Sequence, residues 1–136
     1  LISLKKKKKF NLTWVRIFYI YGPNQRSKSI FTQLKKFNID KNKSIFELTD
    51  GKQLRDYMHV SILTKKIIEL SFLKKNIGII NVCSGKPISI KNIVLKWQNR
   101  FNWKIKLKFG SKNMKKYEPN SFWGSTVKLK SILSKK

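Results

Sequence analysis

Alanine does not occur once among the 136 residues, and histidine and cysteine occur once each, as His59 and Cys83. Carboxylates are scarce too: six Asp and Glu stand against 32 Lys and Arg, a formal charge of +26. A lone cysteine cannot close an intramolecular disulfide. One His, one Cys and a few scattered acids cannot assemble a plausible metal site. No apolar run approaches the roughly 20 residues that cross a bilayer. Leu1-Ile2-Ser3-Leu4 followed by Lys5 to Lys9 also reverses the charge-then-apolar order of a signal peptide. The expected location is therefore cytoplasmic, with no membrane partner.

What is abundant has to be weighed against that. Hydrophobic residues make up 40% of the chain, enough for it to pack around a core. The positive charge by itself predicts attraction to polyanions, nucleic acid among them. The absence of Ala, the low Gly and Pro counts and the wealth of Lys, Asn, Ile and Phe point instead to codons drawn from an AT-rich genome. Much of the charge is then surface drift, and contact with nucleic acid would be non-specific. The four arginines, Arg16, Arg26, Arg55 and Arg100, become informative on this background. Lysine replaces arginine as a solvated charge but cannot reproduce the planar fork that grips phosphate. Three of the four lie in or beside the segments that carry functional patterns.

Strand and helix patterns alternate along the chain. Lys5 to Lys9 can be a solvated helix end, a basic arm or a translated adenine tract, and with Leu at position 1 the chain is expected to start partway into a domain. Asn11 to Ile20 is nearly continuously apolar, as a strand buried on both faces would be. Tyr21-Gly22-Pro23-Asn24 supplies a turn. Ser29 can cap a helix whose stripe is Ile30, Phe31, Leu34 and Phe37. Ser44 to Leu48 reads as a short strand, and Leu54 to Val60 as another. Ser61 to Leu73 is helical by its Leu63, Ile67 and Leu70 spacing, and Gly78 to Val82 is a buried strand. Ser89 caps a helix with Ile90, Ile93, Val94, Trp97 and Phe101 on one face. Lys104 to Phe109 alternates as a half-exposed strand does. Ser111 to Ser121 is irregular, and Thr126 to Leu133 is a final helix. The class is α/β or α+β, without a repeat, linker or second domain.

Chemistry concentrates in Gly51 to Val60. Arg55 lies where a turn feeds a strand, and Asp56, Tyr57 and His59 follow it. A guanidinium placed there could hold a phosphate, with Asp56 or a backbone carbonyl fixing its fork; equally, Arg55 and Asp56 could form a structural ion pair while Tyr57 and His59 pack. His59, among apolar neighbours on a strand, reads as a satisfied core residue. Cys83, in Val82-Cys83-Ser84-Gly85, reads as a small packed residue, because no base lies near it in sequence.

Four segments in order alter this balance: Arg16 to Pro23, Gly51 to Val60, Ile80 to Gly85 with Ile88 to Ile90, and Glu118 to Gly124. Together they resemble the C-terminal half of the extended short-chain dehydrogenases, the family of NAD-dependent nucleotide-sugar epimerases, dehydratases and reductases. The resemblance implies an α/β fold: the last strands of a Rossmann-like sheet plus a small α/β substrate-binding region, with residues 1–136 a partial domain. It further implies a nucleotide-diphosphate-sugar substrate. Arg55 would bind the diphosphate, and Lys115 would stand where members often have a second phosphate-binding arginine. Glu118 would contact the nucleotide, Tyr19 would replace a substrate-contacting Asn, and the Phe18 backbone would lie near the nicotinamide. Ser125 replaces an Asp at the start of the last helix, where Ser remains a competent cap.

The family's first-half signatures are absent from this sequence. There is no glycine-rich strand-to-helix turn for a cofactor pyrophosphate. Tyr19, Tyr21, Tyr57 and Tyr117 are none of them followed four residues later by Lys, so the family's catalytic Tyr-x-x-x-Lys is missing and no catalytic residue is assigned. NAD or NADP would be bound only by an intact enzyme, and the chain by itself is expected to be inactive. Three readings stay open: a split enzyme whose N-terminal half is encoded separately, a decaying gene remnant without activity, and a basic nucleic-acid-binding module.

Overall fold

A computed structural model describes residues 2–40, 44–114 and 116–134. Helix α1 (Ile2–Lys7) takes up the first lysines, with Lys5, Lys6 and Lys7 in its last turn, where cations favour the helix dipole. The next β-rich stretch divides at Phe18 into β1 (Thr13–Ile17) and β2 (Tyr19–Tyr21). Helix α2 (Ile30–Ile39) starts as its sequence predicts: Ser29 Oγ accepts from the Thr32 amide at 3.2 Å. Short strands β3 (Phe46–Glu47), β4 (Leu54–Arg55) and β5 (Tyr57–His59) lead into α3 (Val60–Ser71). Strand β6 (Gly78–Val82) and β7 (Ile88–Ser89) precede α4 (Ile90–Arg100), capped by the Ser89 hydroxyl on the Asn92 amide. The chain then runs through β8 (Leu107–Lys108) and β9 (Ser121–Phe122) to α5 (Val127–Leu133).

Parallel pairing dominates. Strand β1 lies beside β6 with Val15 opposite Ile80, and β2 lies beside β5 with Ile20 opposite Met58. The chain therefore changes partner at Phe18, which is why one apolar run became two strands. Strand β3 pairs parallel with β8, whereas β4 is flanked by β7, antiparallel, and β9, parallel.

Two clusters form the core. One gathers Leu34, Val94, Trp97 and Ile105 between α2, α4 and the β8 segment. The other packs Ile80 and Val82 of β6 against Leu63 and Leu70 of α3 and Leu129 of α5. Burying each of these aliphatic side chains contributes about 1.5–3 kcal/mol before entropy is charged.

The expectation that Asn11–Ile20 is buried on both faces does not hold. Trp14 is 48% exposed and Ile17 49%, and across the ladder Ile79 is 51% exposed although its neighbours Ile80 and Val82 are buried. Helices α3 and α5 pack against the face that carries Ile80 and Val82, while Trp14 and Ile79, paired on the opposite face, are left half exposed; Ile17 stands at the end of its strand. The alternation over Lys104–Phe109 does hold: Ile105 is buried while Lys104, Lys106 and Lys108 are exposed, although only Leu107–Lys108 forms ladder bonds. Phe101 caps α4 and is 39% exposed, at the margin of the stripe it was expected to extend.

Candidate functional site

Successive side chains on an extended backbone point to opposite sides, and this separates Arg55 from Asp56. Both are almost wholly buried, at 1% and 0% exposure. The Asp56 carboxylate turns toward the loop after β6, where Oδ1 accepts from the Ser84 amide at 2.7 Å and Oδ2 from the Gly85 amide at 2.9 Å. A longer bond of 3.4 Å from the Gly124 amide ties the segment before α5 to the same oxygen. Asp56 therefore anchors two loops, and its backbone carbonyl accepts from the Tyr19 amide at the strand switch. The Arg55–Asp56 ion pair, one of the two sequence readings, is not formed; backbone alternation forbids it.

Arg55 faces the other way. Nη1 donates to the Leu54 carbonyl at 2.8 Å and Nη2 to Glu118 Oε1 at 2.8 Å. The partner acid lies 63 residues further along, in the late segment that sequence reading also singled out. The guanidinium sits 5.7 Å from the centre of the Tyr19 ring, within cation–π range. Tyr19 in turn lies 5.5 Å from Tyr57 and 6.3 Å, edge-on, from Phe122. Three of the residues marked out by the sequence, Tyr19, Arg55 and Glu118, are thus brought together. Phe18 stands one residue behind Tyr19, stacked at 5.1 Å on Phe122. Lys115 lies outside the described residues.

These side chains border a cleft of about 760 Å³ between the β4 region and α2. Its wall combines Ile30, Phe31, Phe46 and Leu48 with polar Gln25, Ser29, Thr49 and Gln53. Arg26, Lys28, Arg55 and Lys112 give it four cations against the carboxylates of Glu47 and Glu118, so an anionic ligand is favoured at its mouth. Sequence reading missed Lys28, Lys112 and the floor of the cleft, since nothing local marks them. Gln53 was legible in hindsight: it lies two residues before Arg55, is buried, and bonds Thr49 Oγ1 at 3.2 Å.

The remaining titratable groups are structural. Burial raises the Tyr57 hydroxyl well above its ordinary pKa, with Tyr19 adding to the effect, so it stays protonated across the physiological range. Burial first, then the Asp56 carboxylate, pushes up the Cys83 thiol, which fits the reading of Cys83 as a packed residue. His59 departs from its expected role as a core residue. It is half-buried and caps α3, its Nδ1 accepting from the Ser61 amide at 3.2 Å, because it stands where the strand hands over to the helix. Ser125 makes a weak cap, accepting from the Val127 amide at 3.4 Å, while Thr126 occupies the cap position itself.

Residues 1–67 match the NAD dependent epimerase/dehydratase family. The dTDP-6-deoxy-L-talose 4-dehydrogenase (NAD(+)) of Aggregatibacter actinomycetemcomitans is 35% identical over 115 residues, covering 85% of this chain and 42% of that enzyme. The UDP-glucuronic acid 4-epimerase from Bacillus cereus, solved with UDP-glucuronic acid and NAD, superposes with a TM-score of 0.76 at 24% identity over 98% of this chain and 42% of its own. The UDP-N-acetylglucosamine 4-epimerase from Methanobrevibacter ruminantium superposes with a TM-score of 0.78 at 20% identity, covering 96% and 42%. The chain thus spans about two fifths of the length of the relatives it matches. Its mixed α/β architecture is that of the Rossmann-like extended short-chain dehydrogenases. Family match, relatives and fold together relate this chain to the NAD-dependent nucleotide-sugar epimerases and dehydratases of the short-chain dehydrogenase/reductase family.

Proposed function

We propose that this chain is the substrate-holding part of an NAD-dependent enzyme acting on a nucleotide-diphosphate sugar, with Arg55 as the diphosphate grip. The observation that carries the reading is the posture of Arg55: it is buried in the wall of a cationic cleft and held in place by Leu54 and Glu118. Those two bonds use one donor from each terminal nitrogen of a five-donor fork. Charge-assisted bonds to phosphate oxygens are the strong kind, and a fork already ordered by protein acceptors loses little freedom on binding. Glu118 orients the fork and, near the cleft mouth, can accept a hydrogen bond from a ribose hydroxyl. Lys115, three residues before Glu118, would add a second positive charge.

The residues present do not suit a dinucleotide by themselves. Gly22, Gly51, Gly78, Gly85 and Gly110 adopt positive φ, yet they are scattered singly and make no glycine-rich turn between a strand and a helix. The redox chemistry, and the tyrosine and lysine that would accompany it, belong to the remainder of the relatives' length, supplied as further sequence or as a separate polypeptide. This chain binds and orients the sugar nucleotide for that machinery.

The test is direct titration of the folded chain with UDP and with dTDP, followed by calorimetry or amide shifts. Binding should be detectable and should weaken by about 2–4 kcal/mol in Arg55→Lys, which keeps the charge but loses the fork. Equal affinities for the two proteins, with circular dichroism showing both folded, would remove Arg55 from the role.

A further inference from the structure

The two edges of the β1–β6 pair differ. The Gly78 amide donates to the Leu12 carbonyl, so in this parallel ladder the backbone groups of Leu12, Trp14 and Arg16 face β6. Alternation turns those of Thr13, Val15 and Ile17 to the outer edge of β1, where none of the described strands lies. On the outer edge of β6, by contrast, Lys128 Nζ donates to the Ile77 and Ile79 carbonyls at 2.7 Å each. A lysine across an edge blocks strand addition. The ladder is therefore open to extension at β1 and obstructed at β6. Its bare face points the same way: Trp14 stands opposite Ile79, both half exposed, and the exposed Arg16 lies two residues further along that face.

We propose that this surface is a seam, on which a second segment of polypeptide adds a strand parallel to β1 and lays a helix over Trp14, Ile79 and Arg16. The helix would present an apolar stripe to the two side chains and a carboxylate to the guanidinium. The occupant is the part of its relatives' length that this chain, spanning about two fifths of it, does not cover. The inference rests on the reading that this part carries the redox chemistry, not on the role of Arg55. Parallel strands pack with both faces covered, and here α3 and α5 cover one. A strand at the open edge, with a helix behind it, supplies what the edge and the other face lack. A second copy of the chain is a poorer occupant. A charge of +26 opposes self-association and would set Arg16 among further cations.

The experiment co-expresses the full chain with the part of the Aggregatibacter dehydrogenase that it does not match, and follows gel filtration and amide hydrogen exchange by NMR. A one-to-one complex should form. The Thr13, Val15 and Ile17 amides, which exchange freely in the chain alone, should slow by about tenfold or more within it. Trp14→Lys and Arg16→Glu, both at exposed positions, should leave the chain folded by circular dichroism and weaken the complex about tenfold. No complex, or one that leaves the three amides unprotected, overturns the seam, and unchanged affinity in both variants overturns the covering of the face. Protection that grows with the concentration of the chain alone assigns the edge to a second copy and also overturns the proposal. None of these readouts measures nucleotide binding, so their failure leaves the Arg55 grip standing, and failure of dTDP to bind leaves the seam.

Discussion

Arg55 Nη2 lies 2.8 Å from Glu118 Oε1, an ion pair closed between two segments 63 residues apart, with the guanidinium 1% exposed and the carboxylate side chain 37% exposed. The asymmetry matters. The arginine is almost wholly shielded from water in the wall of the cleft, while the acid that holds it is more than a third exposed.

Removing the acid strands a buried cation. Glu118→Ala should cost about 1–3 kcal/mol of stability, below the full scale for a broken buried pair because solvent reaches the carboxylate. Glu118→Gln keeps an acceptor for Nη2 and should recover part of the loss. Thermal unfolding of the three proteins checks the order.

Asp56 should be the least replaceable charge in the chain. Its carboxylate accepts from the Ser84, Gly85 and Gly124 amides, so Asp56→Ala orphans buried donors in two loops at once. The expected cost is about 3–5 kcal/mol, the sum of several unsatisfied groups. Chemical denaturation should also show Asp56→Asn in between, since an amide oxygen can accept only part of what two carboxylate oxygens do.

Gly124 is required for space, not for backbone freedom. A Cβ there would stand 2.5 Å from Phe18 Cζ and 2.7 Å from Cys83 Sγ, both packed. Gly124→Ala should destabilise by about 1–3 kcal/mol, the usual cost of overpacking. A paired Cys83→Ala change should return part of it, which a double-mutant cycle reads out.

Tyr57 and Cys83 are both neutral when protonated, and burial raises both pKa values. Above the ordinary pKa, 10.0 for Tyr57 and 9.0 for Cys83, the unfolded chain loses protons that the folded chain keeps. Their contribution to stability is therefore complete below those values and declines as pH rises through and beyond them. The melting temperature of Tyr57→Phe should fall less as pH rises above 10.0, the ordinary tyrosine value, than that of the unsubstituted chain. At neutral pH Cys83 should resist iodoacetamide until the chain unfolds.

Much of the local architecture was legible. Ser29 and Ser89 cap the helices they were expected to cap, and Leu63 and Leu70 face the core as their spacing predicts. Gly78–Val82 is a strand over those same residues. Each of these rests on contacts within a few positions, which periodicity and capping chemistry encode directly. The misreadings share a different cause. Asn11–Ile20 looks buried on both faces because it is nearly continuously apolar, yet burial depends on what covers a strand, and Trp14, on the face away from Ile80 and Val82, is half exposed. His59 was read from its strand neighbours, while its role comes from the helix that starts after it.

At the site, sequence alone determined that a fork-shaped cation, rather than a lysine, stands at position 55, and that an acid follows it. Only the tertiary structure decided which acid it meets. Strand alternation sends Asp56 to the amides of Ser84 and Gly85, and the pairing of β4 with β9 brings the segment carrying Glu118 beside Arg55. The physical reason is range. Side-chain direction along a strand is local and can be read from the order of residues, whereas the partner across a cleft is set by strand pairing that no local pattern records.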